Sequence, residues 1–299
     1  MIDTPNHTRI RKPAWLRRSL PSGPEYEKLR KLLTHHGLTT VCREAQCPNQ
    51  FECYSKGTAT FMIMGERCSR NCGFCAVGHG PLALPDIEEP ARVACAVELM
   101  GIAYAVVTSV TRDDLADGGA SFFAATITAI KERMPATLVE VLIPDLQGDW
   151  QGLGKILQAG PDVLNHNIET VRRLYPTVRP GAVYDRSVDL LKMAKKIAPK
   201  TPTKSGIMLG LGESEEELLD TLQDLCNAGC DILTLGQYLQ PSPAHLQVKR
   251  FIPPDEFQSL KAKALHMGFA GVAAGPFIRS SYQAERLFQL AKNRIAGAR

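Results

Sequence analysis

The chain has 299 residues, 44% of them hydrophobic and 22% charged, with a formal net charge of +4. Those proportions belong to a globular protein able to bury one large core, and they exclude a disordered or fibrous chain. No aromatic-interleaved basic stretch points to nucleic acid, and no apolar run approaches the roughly 20 residues that span a bilayer.

The first 20 residues lack the continuous apolar stretch of a secretion signal, which favours a cytoplasmic protein. The basic segment from Arg9 to Arg18 reads as a solvated arm or lid, or as a means of attracting an acidic carrier protein. Residues 25–36 form a short amphipathic helix stopped by Gly37, with His35 and His36 at the end where the helix dipole favours positive charge. β-prone apolar runs recur at 60–64, 104–110, 137–143, 161–168, 204–209 and 231–239. Helical patterns lie between them at 88–100, 119–133, 150–159, 183–197 and 214–228, the last opening on a capping box at Ser214 and Glu217. Further helices are predicted at 255–267, before Gly268, and at 281–295. Such alternation predicts parallel strands joined by right-handed helical crossovers. Six units fit a partial (β/α)6 barrel of the TIM type, in the α/β class, better than a closed eight. The gap would admit a large substrate from the side. The expected division is an N-terminal extension over 1–57, the barrel over 58–250 and a C-terminal helical extension over 251–299.

Six of the nine cysteines form two triplets of different spacing, Cys42-x4-Cys47-x5-Cys53 and Cys68-x3-Cys72-x2-Cys75. An iron–sulfur cube has four metal corners, each wanting one thiolate. A triplet leaves one corner for another ligand, so two triplets suggest two cubes. Disulfides would need an oxidising compartment and usually a smaller chain. Zinc is the stronger rival, because His79 follows Cys75 closely enough to complete a tetrahedral site. The first triplet, however, offers none of the two-cysteine knuckles of zinc modules. Cys95, Cys226 and Cys230 read as small buried hydrophobes. The second triplet follows the apolar stretch Thr60–Met64, which places it on a loop leaving the C-terminal end of a strand, where α/β barrels carry their chemistry.

With Phe74 just before its last cysteine, the second triplet resembles the signature of the radical S-adenosylmethionine superfamily. The two triplets together resemble the lipoyl synthase family. The likeness extends through Lys12–Arg17, Cys42–Asn49, Thr108–Leu115 with Asp117–Gly119, Asn165–Thr170, Ser205–Glu213, Gln237–Pro241 and Arg279–Tyr282. Each piece is weak alone; their order and number are specific, and they cover nearly the whole chain.

The resemblance implies that Cys68, Cys72 and Cys75 hold a 4Fe–4S cluster whose open iron chelates S-adenosylmethionine. One electron then breaks the sulfonium–C5′ bond and yields methionine and a 5′-deoxyadenosyl radical. It also implies that Asn167 and Glu169 hold the ribose hydroxyls, that Arg186 pairs with the methionyl carboxylate, and that Ser109 meets the amino group. The plain alternative for each is a helix cap or a surface ion pair. Gly206, Gly210 and Gly212 would let backbone approach adenine, or serve ordinary turns. Cys42, Cys47 and Cys53 would hold an auxiliary 4Fe–4S cluster, with Ser281 as fourth ligand and Ser280 as the second choice. Without the resemblance both serines read as N-caps of the last helix. His245 reads as shaping its loop.

The implied reaction inserts sulfur at C6 and then C8 of an octanoyl chain on a carrier lysine, with the auxiliary cluster as donor and two S-adenosylmethionines consumed. The implied partners are an octanoylated lipoyl-carrier protein (a 2-oxoacid dehydrogenase E2 lipoyl domain or a glycine cleavage H protein), a ferredoxin or flavodoxin, and a carrier that rebuilds the cluster. Neither nucleic acid nor membrane is implied, and a monomer suffices. Two rivals stand beside this. A radical enzyme acting on biotin's precursor or on RNA would share the barrel and second triplet, but not the first triplet together with Arg279–Tyr282. A zinc-binding interaction module would be colourless and contain zinc, whereas iron–sulfur cubes would make the anaerobic protein brown.

Overall fold

The computed structural model describes residues 11–17 and 23–297, so Arg9 and Arg18 at the limits of the basic arm lie outside the described residues. Seven parallel strands run side by side in the order β1 (Thr60–Ile63), β4 (Tyr104–Ser109), β5 (Leu138–Leu142), β6 (Val163–Asn165), β7 (Thr203–Leu209), β8 (Ile232–Gln237) and β9 (Gly271–Gly275). A separate two-residue ladder, β2 (Arg67–Cys68) against β3 (Gly78–His79), closes the loop that carries the second triplet. The main strands are nearly continuous apolar runs because both faces are covered, one by side chains filling the barrel and one by helices. Val107, Val139, Val141, Leu164, Leu233 and Leu235 are all buried.

Helices α4 (Glu89–Leu99), α5 (Ala120–Arg133), α6 (Trp150–Gln158), α8 (Tyr184–Ile197), α9 (Glu215–Asn227) and α10 (Pro254–Met267) make the crossovers. The short α7 (Tyr175–Val178) precedes α8. The expected capping box at α9 is present, with Ser214 accepting from the Glu217 N–H and Glu217 accepting from that of Ser214. Before the barrel, α1 (Pro24–His35), α2 (Val41–Glu44) and α3 (Gln50–Ser55) pack beside β1. Tyr26 stacks on Phe51 with ring centroids 5.4 Å apart. One apolar core runs from Leu29 of α1 to Val272 of β9, so α1 and α10 share it with the barrel.

Three expectations change. The segment after 250 is not purely helical, because Gly271–Gly275 adds a seventh strand to β8, pairing Ile232 with Gly271 through Gly236 with Gly275. Its composition, two glycines and two alanines around one valine, gives little local β signal; the open edge of β8 decides. The strand expected at 161–168 ends at Asn165, where the chain turns through His166 to Thr170. The last helix, α11 (Ala284–Gly297), begins after the serines rather than at 281, and Gln283 before it holds φ +51°. Ser280 and Ser281 therefore sit in a turn, closed by the Tyr282 N–H on Arg279 O at 3.0 Å.

Candidate active site

A cavity of about 500 Å³ opens at the C-terminal ends of the strands. Cys42 and Cys47 of the first triplet line it, as do Cys68, Cys72 and Cys75 of the second, together with Ser280 and Ser281; Cys53 is not among its lining residues. Side chains some 230 positions apart in sequence thus face one space.

The second triplet is fixed by backbone. The Ser69 N–H donates to Thr111 O at 2.9 Å, and that of Gly73 to Val178 O at 3.0 Å. The Leu246 N–H donates to Gly73 O at 2.9 Å. Cys68 Sγ accepts the N–H of Thr111 at 3.3 Å and of Arg70 at 3.4 Å. His245 shapes its loop as expected and does more: its Nε2 lies 3.0 Å from Cys75 O, and its Nδ1 lies 2.8 Å from Ser242 Oγ. The carbonyl only accepts, so the proton sits on Nε2 and Ser242 donates to Nδ1. Beneath the loop, the buried guanidinium of Arg70 grips Asp113 at 2.7 and 2.8 Å and the fully buried Asp145 at 2.6 Å. His79 is exposed.

The first triplet is carried differently. Cys42 lies in α2, whose Thr40 cap accepts the Arg43 N–H, and Cys53 lies in α3. Two side-chain bonds tie this region to the C-terminal turn. Asn49 Nδ2 donates to Phe277 O at 2.7 Å, and Tyr282 Oη donates to Glu52 Oε1 at 3.0 Å. They bring Ser280 and Ser281 to the cavity wall.

Burial, then the charge on Cys47, pushes the Cys42 thiol up to about 12, and the same two causes push Cys53 up to about 11. Burial, and after it the charges on Cys72 and Cys68, pushes Cys75 up to about 12. Burial raises Cys72 as well, with Arg179 opposing. Three mutually repelling thiolates in a low-dielectric wall need a cationic centre to hold them ionised, and a soft one suits sulfur. Among the described residues no three His, Cys, Asp or Glu side chains converge as ligands of one metal ion. A cube takes each thiolate at a separate corner, so its ligands need not converge on one ion. The donor set fits an iron–sulfur cluster at each triplet.

Of the four residues expected to contact S-adenosylmethionine, Ser109, Asn167 and Glu169 line the cavity. Ser109 Oγ is buried and has no hydrogen-bond partner. Glu169 takes φ +66° and is held between β7 backbone groups, its N–H donating to Gly206 O and its carbonyl accepting from Met208 N. Burial raises its carboxyl above the ordinary range, against the pull of Arg179.

Arg186 does not line the cavity; its Nε lies 3.7 Å from Asp145 Oδ2, on the flank of α8. The guanidinium in the wall is that of Arg179. Its Nη1 donates to Asn167 O at 2.9 Å and to Tyr175 Oη at 2.8 Å, while its buried Nε has no partner. His166 was also missed. Its Nδ1–H donates to Ile143 O at 2.8 Å, leaving a bare Nε2 lone pair, buried and unpartnered. Burial, then Arg179, lowers this imidazole to about 4. His166 lies inside a quoted motif and carried that much signal, whereas nothing local separates Arg179 from Arg172 and Arg173.

Residues 62–225 match the radical SAM superfamily, and residues 2–47 match the N-terminal domain of lipoyl synthase of the radical SAM family. The chain is 65% identical to a lipoyl synthase of Desulfotalea psychrophila, over 95% of each chain. It is 54% identical to that of Thermus thermophilus, over 95% of this chain and 88% of the relative. Among solved structures, methylornithine synthase superposes with a TM-score of 0.57 at 16% identity, covering 93% of this chain and 81% of its own. A maturase of the FeFe-hydrogenase, HydG, gives 0.55 at 16% identity, over 82% and 65%. At such identities these two speak for the fold alone.

Proposed function

The chain belongs to the lipoyl synthase family of the radical S-adenosylmethionine superfamily, and from that premise we propose two centres with divided labour around one cavity. A member of this family is a sulfur-inserting enzyme that uses a 4Fe–4S cluster and S-adenosylmethionine and acts on a lipoyl-carrier protein. Cys68, Cys72 and Cys75 would hold the S-adenosylmethionine-binding 4Fe–4S cluster. Cys42, Cys47 and Cys53 would hold a second, sacrificial one, with Ser281 at its fourth corner. When bound, these groups supply the electron, the 5′-deoxyadenosyl radical and the sulfur inserted at C6 and C8 of the octanoyl-lysine.

The chain's own residues bind, orient and exclude water. The unpartnered Ser109 hydroxyl suits the methionyl amino group, and the unpartnered Arg179 Nε–H suits the carboxylate, in the role expected of Arg186. Asn167 and Glu169 can accept from ribose hydroxyls, and the bare Nε2 of His166 can accept from a donor in the same wall. Met62, Val110, Ile143 and Leu239 give the cavity an apolar lining for an acyl chain. Ser281 offers an oxygen that binds iron less persistently than a thiolate, so this corner can open.

The single observation that carries the proposal is that Cys42 and Cys47 of the first triplet, all three cysteines of the second and the two serines open onto one cavity. An octanoylated E2 lipoyl domain or glycine cleavage H protein is the substrate, a ferredoxin or flavodoxin the donor, and a separate carrier rebuilds the second cluster around a monomeric enzyme. Anaerobic reconstitution with iron and sulfide analysis tests it. About eight irons per chain are expected from two four-iron cubes. Four irons in protein that still forms the dithiolane would end the two-centre reading.

A further inference from the structure

Ser280 stands beside the serine proposed as a cluster ligand, yet its own hydroxyl is committed elsewhere. Its Oγ lies 2.7 Å from Asn167 Oδ1, across 113 residues of chain, and Asn167 Nδ2 lies 3.0 Å from Glu169 Oε1. The donor directions follow from chemistry. A carboxylate only accepts, so Glu169 takes the amide N–H; this turns the amide oxygen toward Ser280, which must donate.

The barrel beneath makes room for this contact. A Cβ on Gly206 would stand 2.8 Å from Asn167 Oδ1, 2.9 Å from Ser280 Oγ and 2.7 Å from Thr234 Oγ1. On the next strand, a Cβ on Gly236 would collide with Ile278 O. Residues 278–280 thus lie directly on β7 and β8, where no side chain can separate them from the strands.

We infer that Ser280 is a positioning residue that aligns Asn167 and Glu169 and couples nucleoside binding there to the seating of the turn that presents Ser281. That role rests on the ribose and ligand roles proposed above. Coupling is reciprocal: whatever the seated turn does for S-adenosylmethionine affinity, bound S-adenosylmethionine does for seating. The radical is then made preferentially when the sulfur side is closed.

The test uses anaerobically reconstituted wild-type protein and the variants S280A, S280T, S281A and G206A, with circular dichroism to establish folding. Each is measured for S-adenosylmethionine dissociation constant, iron content, and 5′-deoxyadenosine released per thiolated product. S280A should keep its iron, bind S-adenosylmethionine about three- to tenfold more weakly, as one net hydrogen bond carries, and release more 5′-deoxyadenosine per product. S280T keeps the hydroxyl and should restore the affinity, a rescue that a merely structural role does not predict. G206A crowds the same three groups and should weaken affinity with iron intact. Wild-type affinity in both S280A and G206A overturns the coupling. Loss of auxiliary iron in S280A, with S281A unaffected, would instead show that Ser280 is the ligand and overturn the role given to Ser281.

Discussion

Members of both cysteine triplets line one cavity, but the triplets are built on different principles. The second hangs on a loop stitched by backbone bonds to three other barrel loops, at Thr111, Val178 and Leu246, and is underlain by a buried ion cluster. The first rides on two short helices and meets the C-terminal turn through two side-chain bonds spanning 228 and 230 residues of sequence. Its ion pairs are surface ones; Lys56, paired with Glu52 at 2.7 Å, is 63% exposed. Exposed pairs of this kind contribute little. Under the proposed division of labour, the radical-generating triplet would sit on the backbone-stitched loop and the sacrificial one beside a turn tied down by side chains.

The sharpest way to break that division is to remove one ligand from each side. C72A should lower 5′-deoxyadenosine formation to background, a complete loss, while C47A still cleaves S-adenosylmethionine and makes no thiolated product. Quantifying both products chromatographically from each variant decides it, and vigorous cleavage by C72A would sink the assignment. G236A comes next. Its new methyl group collides with Ile278 O and should lift the C-terminal turn. Thiolated product should fall at least about tenfold, the factor that about 1.4 kcal/mol represents, with S-adenosylmethionine cleavage retained. Equal loss of both activities would show that the two sides are not separately mounted.

How much of this was legible in the sequence follows the same line. The barrel strands announced themselves because parallel strands buried on both faces are long apolar runs, and the helix starting after Ser214 carried its own cap. Both triplets stand out in the sequence by their spacing. Gly271–Gly275 was not, since a strand made by pairing onto β8 has no local signature. Arg186 and Arg179 illustrate the limit at the site. Arg179 caps the end of α7 and Arg186 lies in the first turn of α8, and only the fold turns one into the cavity and the other onto Asp145. Ser280 and Ser281 are adjacent and chemically identical; the contact to Asn167 that distinguishes them spans 113 residues of sequence.

A smaller effect sharpens the claim of rigidity on the radical side. Arg70 is 6% exposed at its side chain and Asp145 is fully buried. R70M strips Asp145 of its 2.6 Å partner and leaves it the Gln147 N–H at 3.2 Å and Arg186 at 3.7 Å. Breaking a buried pair from one side costs about 3–5 kcal/mol, so the midpoint of chemical denaturation should fall accordingly. Adding D145N, which removes the stranded charge, should recover part of it. A loss under about 1 kcal/mol would mean that the loop does not depend on this cluster.

The mildest test asks whether the cavity wall beside the second triplet is preformed. An unfolded imidazole binds its proton near pH 6.5, whereas burial holds folded His166 at about 4. Above pH 6.5 the ring is neutral in both states and contributes nothing to pH dependence. Between pH 6.5 and about 4 the unfolded chain binds more protons than the folded one, so stability falls as pH falls, by at most about 3 kcal/mol. H166Q cannot take up that proton. The stability difference between wild type and H166Q should therefore shrink progressively across this window, when both are followed by urea denaturation at several pH values. Parallel curves would mean that Nε2 is already solvated and accepts protons freely, and the wall around Arg179 and His166 would then be shaped by its ligand rather than built in advance for it.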